Sequence, residues 1–355
     1  MEKALPVTNP AIDAYNNIAN VLSIIQGDDK AADWIHSHFI QLYHDQSFED
    51  SFTLSFYAPY LIKTCPWLET QMVHKRIVEK GWDDITRFLI DCIDSGCYVI
   101  LIVDQFYIPN SVYYQKSHRP HELFVYGYHL GKEEFDISDN FASGKYKRLA
   151  CSFEDLRIAY NELSPEMELN YNHYNGMMFV LSKKELAEPI PFHPQLVIRR
   201  LEDYLHSIDS SASDQALYAH SKPNWSYGLR CYSNLIKYVD HVCDRQEYLD
   251  IRPFHVIYLH KKQMVSRIEF MQTKADLWNG EELKSRFSEL EKTSLITRNL
   301  AMKYNFSNDP GLKMAITDQL ETIVNAERHI VPQLIEQIKL GFKLDAGGEG
   351  VAVRK

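Results

Sequence analysis

The chain has no CxxC pair, no apolar run longer than seven residues and no excess of basic residues, and each lack closes off a class of protein. Six cysteines spread over 355 residues, at positions 65, 92, 97, 151, 231 and 243, form neither a disulfide framework nor a zinc site and read as reduced thiols. The longest apolar stretch, Cys97 to Val103, is far short of the roughly 20 residues that a membrane-spanning helix needs. Met1-Glu2-Lys3-Ala4-Leu5-Pro6 lacks the apolar core of a secretion signal, so the expected location is cytoplasmic. With 38 Lys and Arg against 48 Asp and Glu the net charge is −10, which repels nucleic acid and anionic lipid, and neither is an expected partner.

What is present is the composition of an ordinary folded chain, 45% apolar and 24% charged. Pro189, Pro191 and Pro194 interrupt any regular element, so the sequence predicts a domain over 1–187, a second over 188–342 and a flexible Gly-rich tail over 343–355. In the first, Ile18, Val21, Leu22 and Ile25 have helical spacing, closed by Gly27 and capped by Asn9-Pro10 or Asp13. A second helix carries Ile85, Phe88, Leu89, Cys92 and Ile93 and stops at Gly96. Cys97–Val103 reads as a buried strand, and further strands are predicted over Leu123–Tyr128, Glu134–Ser138 and Met177–Leu181. Ser152-Phe153-Glu154-Asp155 resembles a capping box. This half is α+β. Beyond the boundary the segments near 195–208, 228–250, 252–277, 281–304 and 311–340 are all helical in spacing, which predicts an all-helical second domain with the site opening at the junction.

His121 heads one predicted strand and Asp139 ends the next, an order that can set an imidazole beside a carboxylate. A carboxylate on one ring nitrogen fixes the tautomer and leaves the other nitrogen as a base. Spacing alone favours the plainer reading of two polar residues at a wet sheet edge. His118, His121 and His129 with Asp136 or Asp139 form an alternative metal set, but no HxH, HExxH or paired-cysteine spacing supports it, and no metal is expected. Tyr107, Tyr113, Tyr114, Tyr126 and Tyr128 are candidate pocket residues. Trp225, in the aromatic-rich segment Asn224–Gly228, is a candidate far wall of a cleft between domains.

The ordered set Val103-Asp104, Tyr107-Ile108-Pro109, His121-Glu122-Leu123-Phe124-Val125-Tyr126-Gly127-Tyr128 and Asp136-Ile137-Ser138-Asp139 resembles the N-terminal domain of the butirosin biosynthesis protein H family. The resemblance covers roughly residues 4–185. It implies a papain-like fold and an acyltransferase of specialised metabolism. In such an enzyme a cysteine takes an acyl or aminoacyl group from the phosphopantetheine thioester of an acyl or peptidyl carrier protein and passes it to a small amine. No bound cofactor is implied. His121 would be the general base, Asp139 its orienting carboxylate, and Asn9 a candidate oxyanion donor.

In the family the nucleophile precedes the glycine that ends the first helix by 13 positions, and counting back from Gly27 reaches Ala14. An alanine carries no nucleophile, and loss of the attacking atom removes nearly all covalent catalysis. Either Ala14 replaces a cysteine of the native gene, or the chain has lost or rerouted the acyl-enzyme step and is a silent binding or scaffold relative. Hydrolysis of a thioester or amide is a further alternative on the same fold. Of the other thiols, Cys97 reads as packing, and Cys151, directly before a helix-capping serine, is only a minor candidate for a reactive one.

Overall fold

In the computed structural model, residues 1–46, 52–141, 144–164, 166–167, 176–186, 188–212 and 224–344 are described. The expected tail falls almost wholly outside them, from residue 345 onward. The chain divides into two units: Met1–Ala32 with Pro59–Pro189, and Asp33–Ala58 with Ile190–Lys355. Residues 33–58, expected in the first domain, therefore belong to the second unit.

In the first unit, strands β4 (Leu68–His74), β9 (Met177–Lys183), β5 (Cys97–Asp104), β6 (Pro120–His129), β7 (Glu134–Asn140) and β8 (Tyr146–Ser152) lie in that order, each antiparallel to its neighbour. A short strand, β1 (Glu2–Ala4), continues the edge of β6 beyond the end of its pairing with β5. There Gly127 faces Ala4 so closely that an added Cβ would come within 2.9 Å of the Ala4 Cα, which excludes any side chain. Alternate residues of the central strands, among them Val99, Leu101, Val103, Leu123, Val125, Phe135 and Ile137, form one core. After the short helices α2 (Ala32–Ser37), α3 (Leu61–Thr64) and α4 (Lys75–Gly81) in chain order, α5 (Ile85–Asp94) and α6 (Phe153–Asn161) contribute Phe88, Leu89, Ile93, Leu156 and Ala159 to it. The serine half of the capping box is present, with the Ser152 hydroxyl accepting from the Asp155 amide at 3.0 Å, while the Asp155 carboxylate accepts from that hydroxyl at 2.6 Å.

Helix α1 (Asn16–Ile25) buries Ile18, Val21, Leu22 and Ile25. It also buries Asn16, Asn20 and Ser23, a polar stripe at i, i+4 and i+7. Its N-cap is Tyr15, without a side-chain bond, so neither Asn9 nor Asp13 caps it.

The second unit has a helical C-terminal region: α7 (Pro194–His206), α8 (Arg230–Asp244), α9 (Arg252–Lys274), α10 (Gly280–Ser307) and α11 (Gly311–Gly341). It is not all helical, because β2 (Leu42–Asp45) pairs with β3 (Thr53–Phe56) and with β10 (Trp225–Tyr227). Pairing across some 180 residues leaves no local trace in a hydrophobic pattern, which is why Asn224–Gly228 does not read as a strand from sequence. Among the described residues no helix is long and apolar enough to cross a membrane.

Candidate active site

Antiparallel pairing places the C-terminal ends of β5 and β7 and the N-terminal end of β6 at one end of the sheet, where His121 pairs with Val103 and Pro120 with Asp104. The His121 and Asp139 side chains meet there. Nδ1 of His121 lies 3.0 Å from Oδ1 and 3.1 Å from Oδ2 of Asp139, and 3.1 Å from the Glu122 carbonyl oxygen. Carboxylate and carbonyl oxygens only accept, so Nδ1 bears hydrogen and Nε2 is the basic nitrogen of the neutral ring. The imidazole is 21% exposed and the carboxylate fully buried.

Burial alone lowers the basicity of His121. The Asp139 charge and hydrogen bond, helped by Glu122, outweigh it, and the ring's pKa lies above its ordinary value of 6.5.

Asp139 has lost all contact with water and is surrounded by donors instead. Asn16 Nδ2 donates to Oδ1 at 2.7 Å, the Asn140 amide to Oδ1 at 2.6 Å, and Gln105 Nε2 to Oδ2 at 2.8 Å. Asn16 Nδ2 also donates to the Glu122 carbonyl at 3.1 Å, so it ties α1 to β6 and β7 at once. Neither amide is among the residues that the sequence singles out. The buried polar stripe of α1 is the signal that points to Asn16, since Asn and Ser are poor residues for an interior helix face. Gln105 has no comparable signal: it sits on a short 3-10 turn, Gln105–Tyr107, immediately after the strand.

Ala14 is buried, and its carbonyl accepts from Asn140 Nδ2 at 3.4 Å, which brings the start of the α1 segment to the strand that carries Asp139. It lies one residue before the N-cap rather than in the first helical turn, where the resemblance put a nucleophile. All six thiols are unpaired, and burial raises every one of them, those of Cys65, Cys92, Cys151 and Cys231 to about 12. Cys151 is a core residue.

Asn9 is exposed, and its side-chain oxygen accepts from Arg148 Nη2 on β8 at 2.9 Å. Tyr126 and Tyr128 are five and seven residues along β6 from His121, roughly 17 and 23 Å at ~3.3 Å per residue, so neither lines a pocket at that ring. Tyr128 is a core residue donating to Asp94 Oδ1 at 2.8 Å. Tyr107 is at the right end of the sheet, its ring 5.9 Å from that of His118. Trp225 packs on Tyr43 within the second unit, ring centroids 4.3 Å apart.

The three histidines of the alternative metal set have separate carboxylate partners. His118 Nδ1 faces Asp104 Oδ2 at 2.6 Å, His121 faces Asp139, and His129 lies between Glu2 and Asp136. Among the described residues no group of three or more His, Cys, Asp or Glu is placed to hold a metal ion.

No protein-family model matches this chain, and no curated protein is significantly similar to it.

Proposed function

We propose that the first unit is a papain-like domain in which the His121–Asp139 pair serves acyl transfer from a carrier-protein phosphopantetheine thioester to a small amine. The observation that carries this reading is the full set of donors around a buried Asp139, which orients His121 with Nε2 as its basic nitrogen. The resemblance supplies the substrate class. Because residue 14 is alanine, the amine attacks the thioester carbonyl directly rather than an acyl-enzyme. The N–C bond forms as the amine proton passes to Nε2; the C–S bond breaks, and the departing thiolate takes that proton from the imidazolium. Water in place of the amine gives hydrolysis, and the choice depends on the acceptor's fit and on water exclusion.

Ala14 itself favours a second reading, a relative that holds the carrier or its acyl chain without turning it over. The test is incubation of the full chain with an acyl-loaded carrier protein and a panel of primary amines, measuring thiol release and amide mass. Amide formation that is lost in His121→Ala supports transfer, thiol release without amide supports hydrolysis, and binding without thiol release supports the silent relative. Ala14→Cys adds a further check: a covalent acyl adduct in its intact mass identifies position 14 as the nucleophile position of this fold, and no adduct across several acyl groups counts against the papain-like assignment.

A further inference from the structure

Three donors besides the imidazole converge on Asp139, and two of them are side-chain amides from elements distant in sequence. Asn16 stands at the first position of α1, and Gln105 just beyond β5. A structural tether between helix and sheet needs one hydrogen bond to any acceptor. Asn16 instead commits both amide hydrogens, one to Oδ1 of Asp139 and one to the Glu122 carbonyl, which is also within 3.1 Å of His121 Nδ1. Its own Oδ1 is buried with no partner among the described residues. The orientation is forced, since turning the amide over would set its oxygen against the carboxylate. Leaving that acceptor unmatched costs stability, so both hydrogens are committed around Asp139 at the expense of the oxygen. Gln105 takes the other carboxylate oxygen, Oδ2, at 2.8 Å.

We propose that Asn16 and Gln105 are positioning residues that hold Asp139 from both oxygens and thereby set the orientation and basicity of His121. The inference rests on the reading of His121 as a general base, but its physical content does not depend on turnover. Each amide disperses negative charge that would otherwise act on the imidazolium. Removing one leaves the carboxylate more strongly attracted to a proton on His121, so the ring is held protonated to higher pH. Removing one also frees the carboxylate to rotate.

The experiment is an NMR titration of His121 in the full-length protein carrying isotope-labelled histidine, comparing the parent with Asn16→Ala, Gln105→Ala and the conservative Gln105→Asn. Near-ultraviolet circular dichroism reports whether each remains folded. The expected result is a His121 midpoint raised in each alanine variant, by the equivalent of a ~3-fold or greater change in proton affinity. The Nδ1–H tautomer should be less strictly held, and Gln105→Asn should lie between parent and alanine. Should Asn16→Ala fail to fold, the two Gln105 variants carry the test alone, because Gln105 does not join α1 to the sheet. Folded variants whose His121 midpoint is unchanged or lowered overturn the proposal. If the midpoints rise as expected while the parent turns over no thioester, the positioning role stands and the acyl-transfer reading fails; if thioester is turned over and the midpoints do not move, the converse holds.

Discussion

His121 in the first unit and His260 in the second are both held through Nδ1, by partners of opposite charge. The Asp139 anion makes Nδ1 of His121 a donor and leaves Nε2 as the base. Nδ1 of His260 accepts from the Lys261 ammonium at 3.0 Å, so its hydrogen is on Nε2, which donates to the Ile40 carbonyl at 2.7 Å. Burial and the Lys261 charge hold His260 well below the ordinary histidine range, whereas His121 is raised. His260 is 1% exposed. Its neighbour Lys261 donates to Glu327 at 2.5 Å and to the Tyr204 hydroxyl at 3.1 Å, and Tyr204 donates to Glu327 at 2.7 Å. Every ammonium hydrogen is used. One imidazole is therefore oriented as a base, and the other is a crosspiece inside a saturated network.

The sharpest way to break this comparison is to remove each imidazole's function separately. His121→Ala should lower thioester turnover by ~10²–10⁴-fold, the usual contribution of a positioned general base. It should have little effect on unfolding, since Asp139 keeps its bonds to Asn16, Gln105 and the Asn140 amide. A variant that unfolds readily would show His121 to be a structural residue like His260.

Lys261→Met should act the other way. It strands Glu327 as a buried charge without its cation and should cost about 3–5 kcal/mol in urea unfolding, whereas Lys261→Met with Glu327→Leu should recover most of the loss. Failure of the double variant to recover would mean that the network's hydrogen bonds to Tyr204 and His260, rather than the charge pair, hold this unit together.

The two units should also differ in sign with pH. His36 and His38 in the second unit have pKa values lowered to about 4, chiefly by burial, with the nearby Arg267 charge acting in the same direction. Between about pH 6.5 and 4 the folded chain binds fewer protons at these rings than the unfolded chain does. Their effect is absent above pH 6.5, and stability falls as pH drops, by up to about 1.4 kcal/mol per pH unit for each ring. His121, with its raised value, contributes stability that is fully present below its unfolded pKa and lost as pH rises through its folded one. Urea midpoints at pH 7.5 and 5 should therefore fall with acid, and His36→Gln with His38→Gln should flatten the fall. No flattening would place the acid-sensitive groups elsewhere.

Much of the first unit is legible in sequence because its central strands are apolar on successive residues or, in β7, on alternate ones, and its helices are amphipathic. β5, β6, β7 and β9 are recognisable on that ground, as are the helix faces of α1 and α5. The outer strands β4 and β8 are not, because Leu68-Glu69-Thr70-Gln71-Met72-Val73-His74 and Tyr146-Lys147-Arg148-Leu149 bury too little to leave a pattern. His121 and Asp139 are visible as strand-end residues. Asn16 leaves a trace in the polar stripe that interrupts the apolar face of α1, whereas Gln105 becomes visible only when folding brings positions 105 and 139 together, since its hydrogen bond to a distant carboxylate leaves no periodicity behind.

The smallest expected effect separates positioning from mere packing within the first unit. Ser152 Oγ accepts from the Asp155 amide at 3.0 Å and donates to Asp155 Oδ2 at 2.6 Å, which starts the helix that buries Leu156, Ala159 and Tyr160. Replacing it by alanine removes one helix cap and should cost about 1 kcal/mol. For a folding unit of this size that corresponds to a fall of roughly 2–4 °C in melting temperature. Ser152 belongs to β8 and α6 and makes no bond to the dyad, so the His121 titration of Ser152→Ala should match the parent. If Ser152→Ala moved that titration as far as Asn16→Ala or Gln105→Ala does, general loosening of the unit would account for all three, and the amides would have no specific hold on Asp139. A cap variant that lowers the melting temperature while leaving His121 unchanged isolates the carboxylate's own donors as what sets its imidazole.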